Sequence, residues 1–207
     1  MKPSLRLLAL AAAMSLASAC SILPPSEPVD LYRLPVNQPS RVATPLDWSL
    51  RVNKPLASEV LAGPRITVIP QGDVVSSYKG ARWSDPTPLL VRNRLLDGFQ
   101  RDGRVQRLSA DDSNLQADYE LVGELQAFQS EYRAGGTLEG VIRYDARLVQ
   151  GRSQRILASK RFEVHQPLAD QQVAAVVAGF GAASDQLAGQ VINWTVAQGT
   201  QAQAKNQ

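Results

Sequence analysis

Hydrophobic and polar positions change rhythm along the chain, and each change marks an element. Leu7 to Leu16 is a predominantly apolar stretch of about ten residues. That is too short to span ~30 Å of hydrocarbon as a helix, but it suits the apolar stretch of a signal peptide. Asp30–Leu34 then reads as a short strand, residues 35–46 as loop, and Asp47–Asn53 as an alternating strand. Arg65–Pro70 is β-branched and extended by propensity. Gln71-Gly72-Asp73 turns it into Val74–Trp83, giving a hairpin. A helix is predicted from Asp85, with Asp85 as cap and Pro86 in the first turn. Leu89, Leu95, Leu96 and Phe99 form its apolar face, and Asp102-Gly103 ends it. Val105–Leu108 reads as a further strand.

The second half is more regular. Ala117–Tyr132 alternates, with Tyr119, Leu121, Leu125 and Ala127 on one face and Glu120, Glu124 and Gln126 on the other. Gly135-Gly136 turns the chain. Leu138–Gln150 sets Ile142, Tyr144, Ala146 and Leu148 against Arg143, Asp145 and Arg147. After a turn at Gly151–Gln154, Ile156–Val164 completes an antiparallel meander with one wet face. Asp170 to about Gln198 reads as a helix capped by Asp170. Val173, Val177, Phe180, Ser184, Leu187, Val191 and Trp194 form one stripe, the core face of a helix lying on the sheet. A seam for a partner helix is the alternative. The expected fold is α+β: an antiparallel sheet with two main helices packed on one face, in a single domain. The expected layout is a signal at 1–19, a Pro-rich tether at 20–29, the domain at 30–198 and a disordered tail at 199–207.

Composition changes this picture at one point. The chain has 207 residues, one Cys and one His, with a net charge of +3. One Cys forms no internal disulfide, and one His builds no multi-His zinc site. The Cys is Cys20, behind Lys2, Arg6 and the apolar run. Leu16, Ala17, Ser18 and Ala19 before it would suit ordinary signal peptidase as an Ala-x-Ala site, but with Cys20 they resemble a bacterial lipobox. In a lipobox the thiol is diacylglyceryl-modified and the new amino group acylated. Acyl burial contributes about 0.8 kcal/mol per CH₂, so three chains anchor stably where one does not. Ser21, where Asp would favour inner-membrane retention, favours the outer membrane. Cleavage removes Lys2 and Arg6, leaving 20 basic against 19 acidic residues and a charge near +1. Charge therefore gives no case for nucleic acid as a partner.

The search for chemistry finds no phosphate loop and no G-x-S-x-G elbow. His165, the best general base, follows a strand and reads as solvated. Asp111-Asp112 are adjacent in a polar loop rather than facing. Gly179-Phe180-Gly181-Ala182-Ala183-Ser184 imitates a dinucleotide turn, but no strand feeds it. With Gly189, these glycines read as close-packing or flexible points of the last helix. The expectation is a protein that is not an enzyme and uses no cofactor or metal.

Three stretches carry a resemblance: Asp30-Leu31-Tyr32-Arg33-Leu34 after the tether, Tyr78-Lys79-Gly80-Ala81-Arg82-Trp83-Ser84-Asp85-Pro86 entering a helix, and the amphipathic last helix after the meander. Together, over residues 30–197, they resemble the ABC-type transport auxiliary lipoprotein family of the paraquat-inducible, MCE-associated kind. Ser84 departs from the Ala common there. The resemblance implies a periplasmic domain on the periplasmic face of the outer membrane. Its implied partners are an MCE-domain periplasmic protein and an inner-membrane permease/ATPase complex moving phospholipids or other hydrophobic compounds. Homo-oligomerisation stays open. Docking is expected at the surface near Tyr78, Arg82 and Trp83. The alternative packs Trp83 beneath the helix and has Arg82 cap it or pair locally. Two competing readings are an accessory lipoprotein of cell-wall synthesis or secretion, and a small hydrolase using His165.

Overall fold

The structure, a computed structural model, describes residues 28–36, 44–133 and 135–205. Leu16, Ala17, Ser18, Ala19 and Cys20 lie outside the described residues, as does most of the 20–29 tether. The elements run β1 (Asp30–Tyr32), β2 (Ser49–Val52), β3 (Leu56–Ala57), α1 (Glu59–Ala62), β4 (Arg65–Gln71), β5 (Val74–Trp83), α2 (Thr87–Asp102), β6 (Arg107–Ala110), β7 (Tyr119–Tyr132), β8 (Leu138–Gln150), β9 (Arg155–Pro167) and α3 (Val173–Ala204).

Strand β7, 14 residues long, is the spine. On one side it pairs antiparallel with β8, and β8 with β9, as the alternation predicts. On the other side β2, β3 and β4 line up in succession along it, all parallel, at Leu50↔Tyr119, Leu56↔Glu124 and Thr67↔Gln129. The sheet therefore forks. One branch adds β6 parallel to β2, and the other adds β5 antiparallel to β4 and then β1 parallel to β5. The purely antiparallel sheet expected from sequence is thus corrected to a mixed one. Parallel neighbours require crossovers, so their pairing joins residues far apart in the chain and leaves no local signature.

Helix α2 begins at Thr87, with Pro86 in the cap position and Pro88 in the first turn. Asp85 does not cap it, and instead accepts the Ser84 hydroxyl at 2.9 Å. The helix ends where predicted. Gly103 sits at φ 76°, and its N–H donates to the Phe99 carbonyl at 3.1 Å. That left-handed conformation favours a residue without Cβ. The buried face is Leu90, Val91, Leu95 and Phe99, with Leu89 and Leu96 only half-buried. The single turn α1, not foreseen, buries Leu61 beside α2.

A bulge redirects β7. Leu125 pairs with Tyr144 and Ala127 with Arg143, so Gln126 is left over. An extra residue inverts the alternation beyond it. Upstream, Tyr119, Leu121 and Leu125 point inward; downstream, Phe128 and Ser130 are buried. Gly123 faces Tyr144 so closely that a Cβ there would lie 2.5 Å from the ring. Burial pushes the Tyr144 phenol up.

Helix α3 has 32 residues and packs on β8, β9 and α2, so its stripe is a core face. It runs on through residues expected to be a disordered tail. Gly199 is buried against the Trp48 indole, where a Cβ would come within 2.8 Å of the ring, and the Gln203 amide donates to the Asp47 carbonyl at 3.4 Å. Its N-cap is Gln172, whose N–H donates to the Asp170 carboxylate at 2.6 Å. Gly179 and Gly181 are close-packing points: a Cβ would strike Leu168 at one and Pro35 at the other.

Candidate functional site

The three residues expected at a docking surface separate in the structure. Trp83 is 1% exposed. Its ring stands edge-on to Phe128 and Phe180, with centroids 5.9 and 5.8 Å away, while those two rings stack at 4.7 Å. Such geometries suit the ring quadrupole, so this cluster anchors β5, β7 and α3 to one another. Tyr78 is half-buried, its hydroxyl 3.0 Å from Ser130 Oγ, and desolvation pushes its phenol up. Of the three, Arg82 is the exposed one. It neither caps α2 nor forms an ion pair among the described residues.

Beside that cluster lies a feature the sequence reading missed. Residues 33–36 leave β1 and cross the helices. There Arg94 of α2 donates to the Asp185 carboxylate of α3 at 2.6 Å, to the Leu34 carbonyl at 3.1 Å, and to the Pro35 carbonyl. The two side chains are 5% and 11% exposed. Desolvation lowers the pKa of Arg94, with Asp185 opposing it. A buried cation next to its carboxylate and two carbonyls satisfies four polar groups at once. Together with Pro35 seated over Gly181, this clamp fixes the incoming chain to both helices. The signal was present in the sequence. Arg94 sits among Leu90, Val91 and Leu95, and Asp185 directly follows Ser184 in the apolar stripe. A charge at core spacing on each of two helices marks a pair.

The other end of β7 holds a polar cleft of about 710 Å³. Asp47, Ser49, Arg51, Asp118, Glu120 and Arg152 line it. The Ser49 hydroxyl and N–H donate to Asp118 at 2.7 and 2.8 Å and hold its carboxyl below the usual range. Asp118 is therefore an acceptor that joins β2 to β7.

His165 belongs to β9, not to the loop after it. On the solvent face of the meander it lies 3.0 Å from Glu163 and 3.3 Å from Glu139, beside Arg133. Arg143 donates to Glu163 at 2.7 Å and Arg161 forms two bonds of 2.6 Å with Asp145. Among the described residues no three His, Cys, Asp or Glu side chains gather as a metal site, and no helix is long and apolar enough to cross a membrane.

Comparison with known proteins matches these features. The family described as ABC-type transport auxiliary lipoprotein component matches residues 32–192, from the clamped entry through the meander to α3. An uncharacterized protein of Bradyrhizobium diazoefficiens, bll6063, is 32% identical over 155 residues. That match takes in 74% of this chain and 41% of the relative, so the chain spans about two fifths of that protein's length. The crystal structure of protein XCC0632 from Xanthomonas campestris superposes with a TM-score of 0.79 at 28% identity, covering 85% of this chain and 99% of the other. A second crystal structure, of an uncharacterized protein, shares the fold at TM-score 0.61 and 15% identity, covering 81% and 98% of the two chains.

Proposed function

The chain belongs to the ABC-type transport auxiliary lipoprotein family, and from that premise we propose that it is the outer-membrane-anchored docking component of an MCE-type transport system. It holds a periplasmic domain at the end of a lipidated tether and presents it to an MCE-domain protein. That protein is coupled to an inner-membrane permease and ATPase moving phospholipids or other hydrophobic compounds. The chain acts by holding and positioning rather than by catalysis.

The observation that supports this reading is the way the N-terminus enters the fold. From Cys20, nine residues lead to Val29, an extended reach of about 30 Å. The chain then becomes edge strand β1 and passes under the clamp of Arg94 and Asp185. A pull on the anchor is thus delivered to α2 and α3 rather than to a loose terminus. Ser21 after the acylated Cys favours the outer membrane as the anchoring leaflet.

The test is crosslinking in intact cells, followed by membrane fractionation, for the parent and Cys20→Ser. The parent is expected in outer-membrane fractions, crosslinked to an MCE-domain protein. Cys20→Ser is expected to be released from membranes by carbonate washing, with that crosslink sharply reduced. A parent that captures no MCE-domain protein, or a Cys20→Ser chain that resists carbonate washing from membranes, overturns the reading.

A further inference from the structure

The fork of the sheet carries one row of side chains that contrasts with the rest of the surface. Leu31 of β1, Arg82 of β5 and Arg65 of β4 stand opposite one another across three adjacent strands. Arg82 and Arg65 are a direct cross-strand pair of like charge, both exposed, and neither has an ion-pair partner among the described residues. Like charges in that position repel and destabilise the sheet. On the meander the like-charged cross-strand pairs Glu131–Glu139 and Glu124–Asp145 are, by contrast, each relieved by arginines: Arg133 bridges the first two, and Arg147 and Arg161 pair with Glu124 and Asp145. The fork leaves two cations side by side where an anion would relieve them.

Apolar side chains flank the two arginines. Leu31 is 59% exposed and Val29, two residues earlier, 46%. On the other side Arg65 borders an open groove of about 510 Å³, where Val60 and Val75 are 47% and 50% exposed. Glu59 is the acidic side chain lining that groove. The face is thus cationic at its centre and apolar at both margins, the pattern of a surface that lies on a lipid interface. Its position agrees, because Val29, an exposed apolar residue of this face, lies only nine residues from Cys20.

We propose that this face, Val29, Leu31, Arg82, Arg65, Val60 and Val75, seats on the membrane that carries the anchor and recognises the anionic headgroups of its phospholipids. The proposal rests on the anchored reading for its setting. The lipid chains hold the protein at the bilayer, and this face sets which way the domain points, so that α3 and the meander turn towards the partner.

The test separates the face from the anchor. The full mature chain bearing Cys20→Ser, which has no acyl group, is sedimented with phosphatidylcholine vesicles, with or without about 30 mol% phosphatidylglycerol. Binding is expected only to the anionic vesicles, and is expected to fall in ~1 M salt, where the screening length is about 3 Å. The Arg65→Gln/Arg82→Gln variant is expected to bind about twenty-five-fold more weakly, each arginine near an anionic surface being worth about fivefold. Its melting temperature is expected at or above the parent's, because a repulsive pair is gone. Equal binding to neutral vesicles, unchanged binding by the double variant, a lowered melting temperature, or binding to polyglutamate but not to vesicles would each overturn the proposal. The assay contains neither acyl chains nor an MCE-domain protein. Its failure therefore leaves the docking reading standing, and failure of the crosslink leaves this result standing.

Discussion

The meander and the forked branch are built from the same kinds of residues by opposite routes. In β7–β8–β9 neighbours in space are neighbours in sequence, joined by the turns at Gly135-Gly136 and Gly151–Gln154. One face is apolar and the other is covered by complementary charges such as Arg143 and Glu163. In the branch, β1 pairs with β5 across about fifty residues of chain, and a strap runs between two helices that are themselves far apart in sequence. The meander is held by its own alternation. The branch is held by a few buried keystones, Trp83 and the Arg94–Asp185 clamp. Damage to a keystone should therefore cost much more than damage to any one meander charge.

Trp83→Ala tests that difference at its largest. It empties the volume beside the stacked Phe128 and Phe180 rings, and the expected loss is about 5 kcal/mol, the upper end for a buried aromatic. Denaturant unfolding measures it, and amide exchange should rise first in β1 and β5. Arg82→Ala, one residue away and exposed, is expected to shift stability by no more than about 0.5 kcal/mol. Equal losses from the two would mean that Trp83 is a surface residue after all.

Asp185→Ala comes next, at about 3 kcal/mol, because it leaves Arg94 buried beside two carbonyls without its carboxylate. The double variant Arg94→Met/Asp185→Leu should recover part of that loss on urea titration, since neither charge then remains buried. It should still free the strap, seen as faster exchange near residues 33–36. If the double variant protects the strap as well as the parent, Pro35 over Gly181 suffices and the clamp is secondary.

This contrast also explains what was legible in the sequence. The hairpin β4–β5, the meander, α2 and the start of α3 follow from local periodicity and turn chemistry, and so their bounds are legible to within a few residues. The parallel pairings of β2, β3 and β4 along β7 are not, because crossovers leave no trace in alternation. Phe128 was missed because one extra residue, Gln126, inverts the faces of β7 beyond it. The end of α3 was misread because its polar composition hides the stacking of Gly199 on Trp48, some 150 residues away. Of the expected docking residues, Trp83 obeys the alternative reading and is core, while Arg82 remains at the surface. A pattern of residue types finds a motif but not which of its members faces out.

The smallest expected effect belongs to the meander charges, and pH reads it. The guanidinium of Arg143 holds the Glu163 carboxyl down to about 2, with help from His165. Arg133 lowers Glu139 and Arg161 lowers Asp145 in the same way. A carboxyl whose pKa is lower folded than unfolded stabilises the fold fully above its ordinary range near 4.5. That contribution fades as pH falls, and for Glu163 it is gone below about 2. These groups lie on the solvent face of the meander, where water and salt screen the pairs, so each contributes little. Thermal unfolding should therefore be flat from neutrality down to about pH 5, then decline gently, and decline less in high salt where the pairs are already screened. Glu163→Gln should flatten part of that decline while leaving the neutral melting temperature nearly unchanged. A steep loss between pH 5 and 4, or a Glu163→Gln penalty at neutral pH approaching that of Asp185→Ala, would mean that the meander depends on its charges as the branch depends on its keystones.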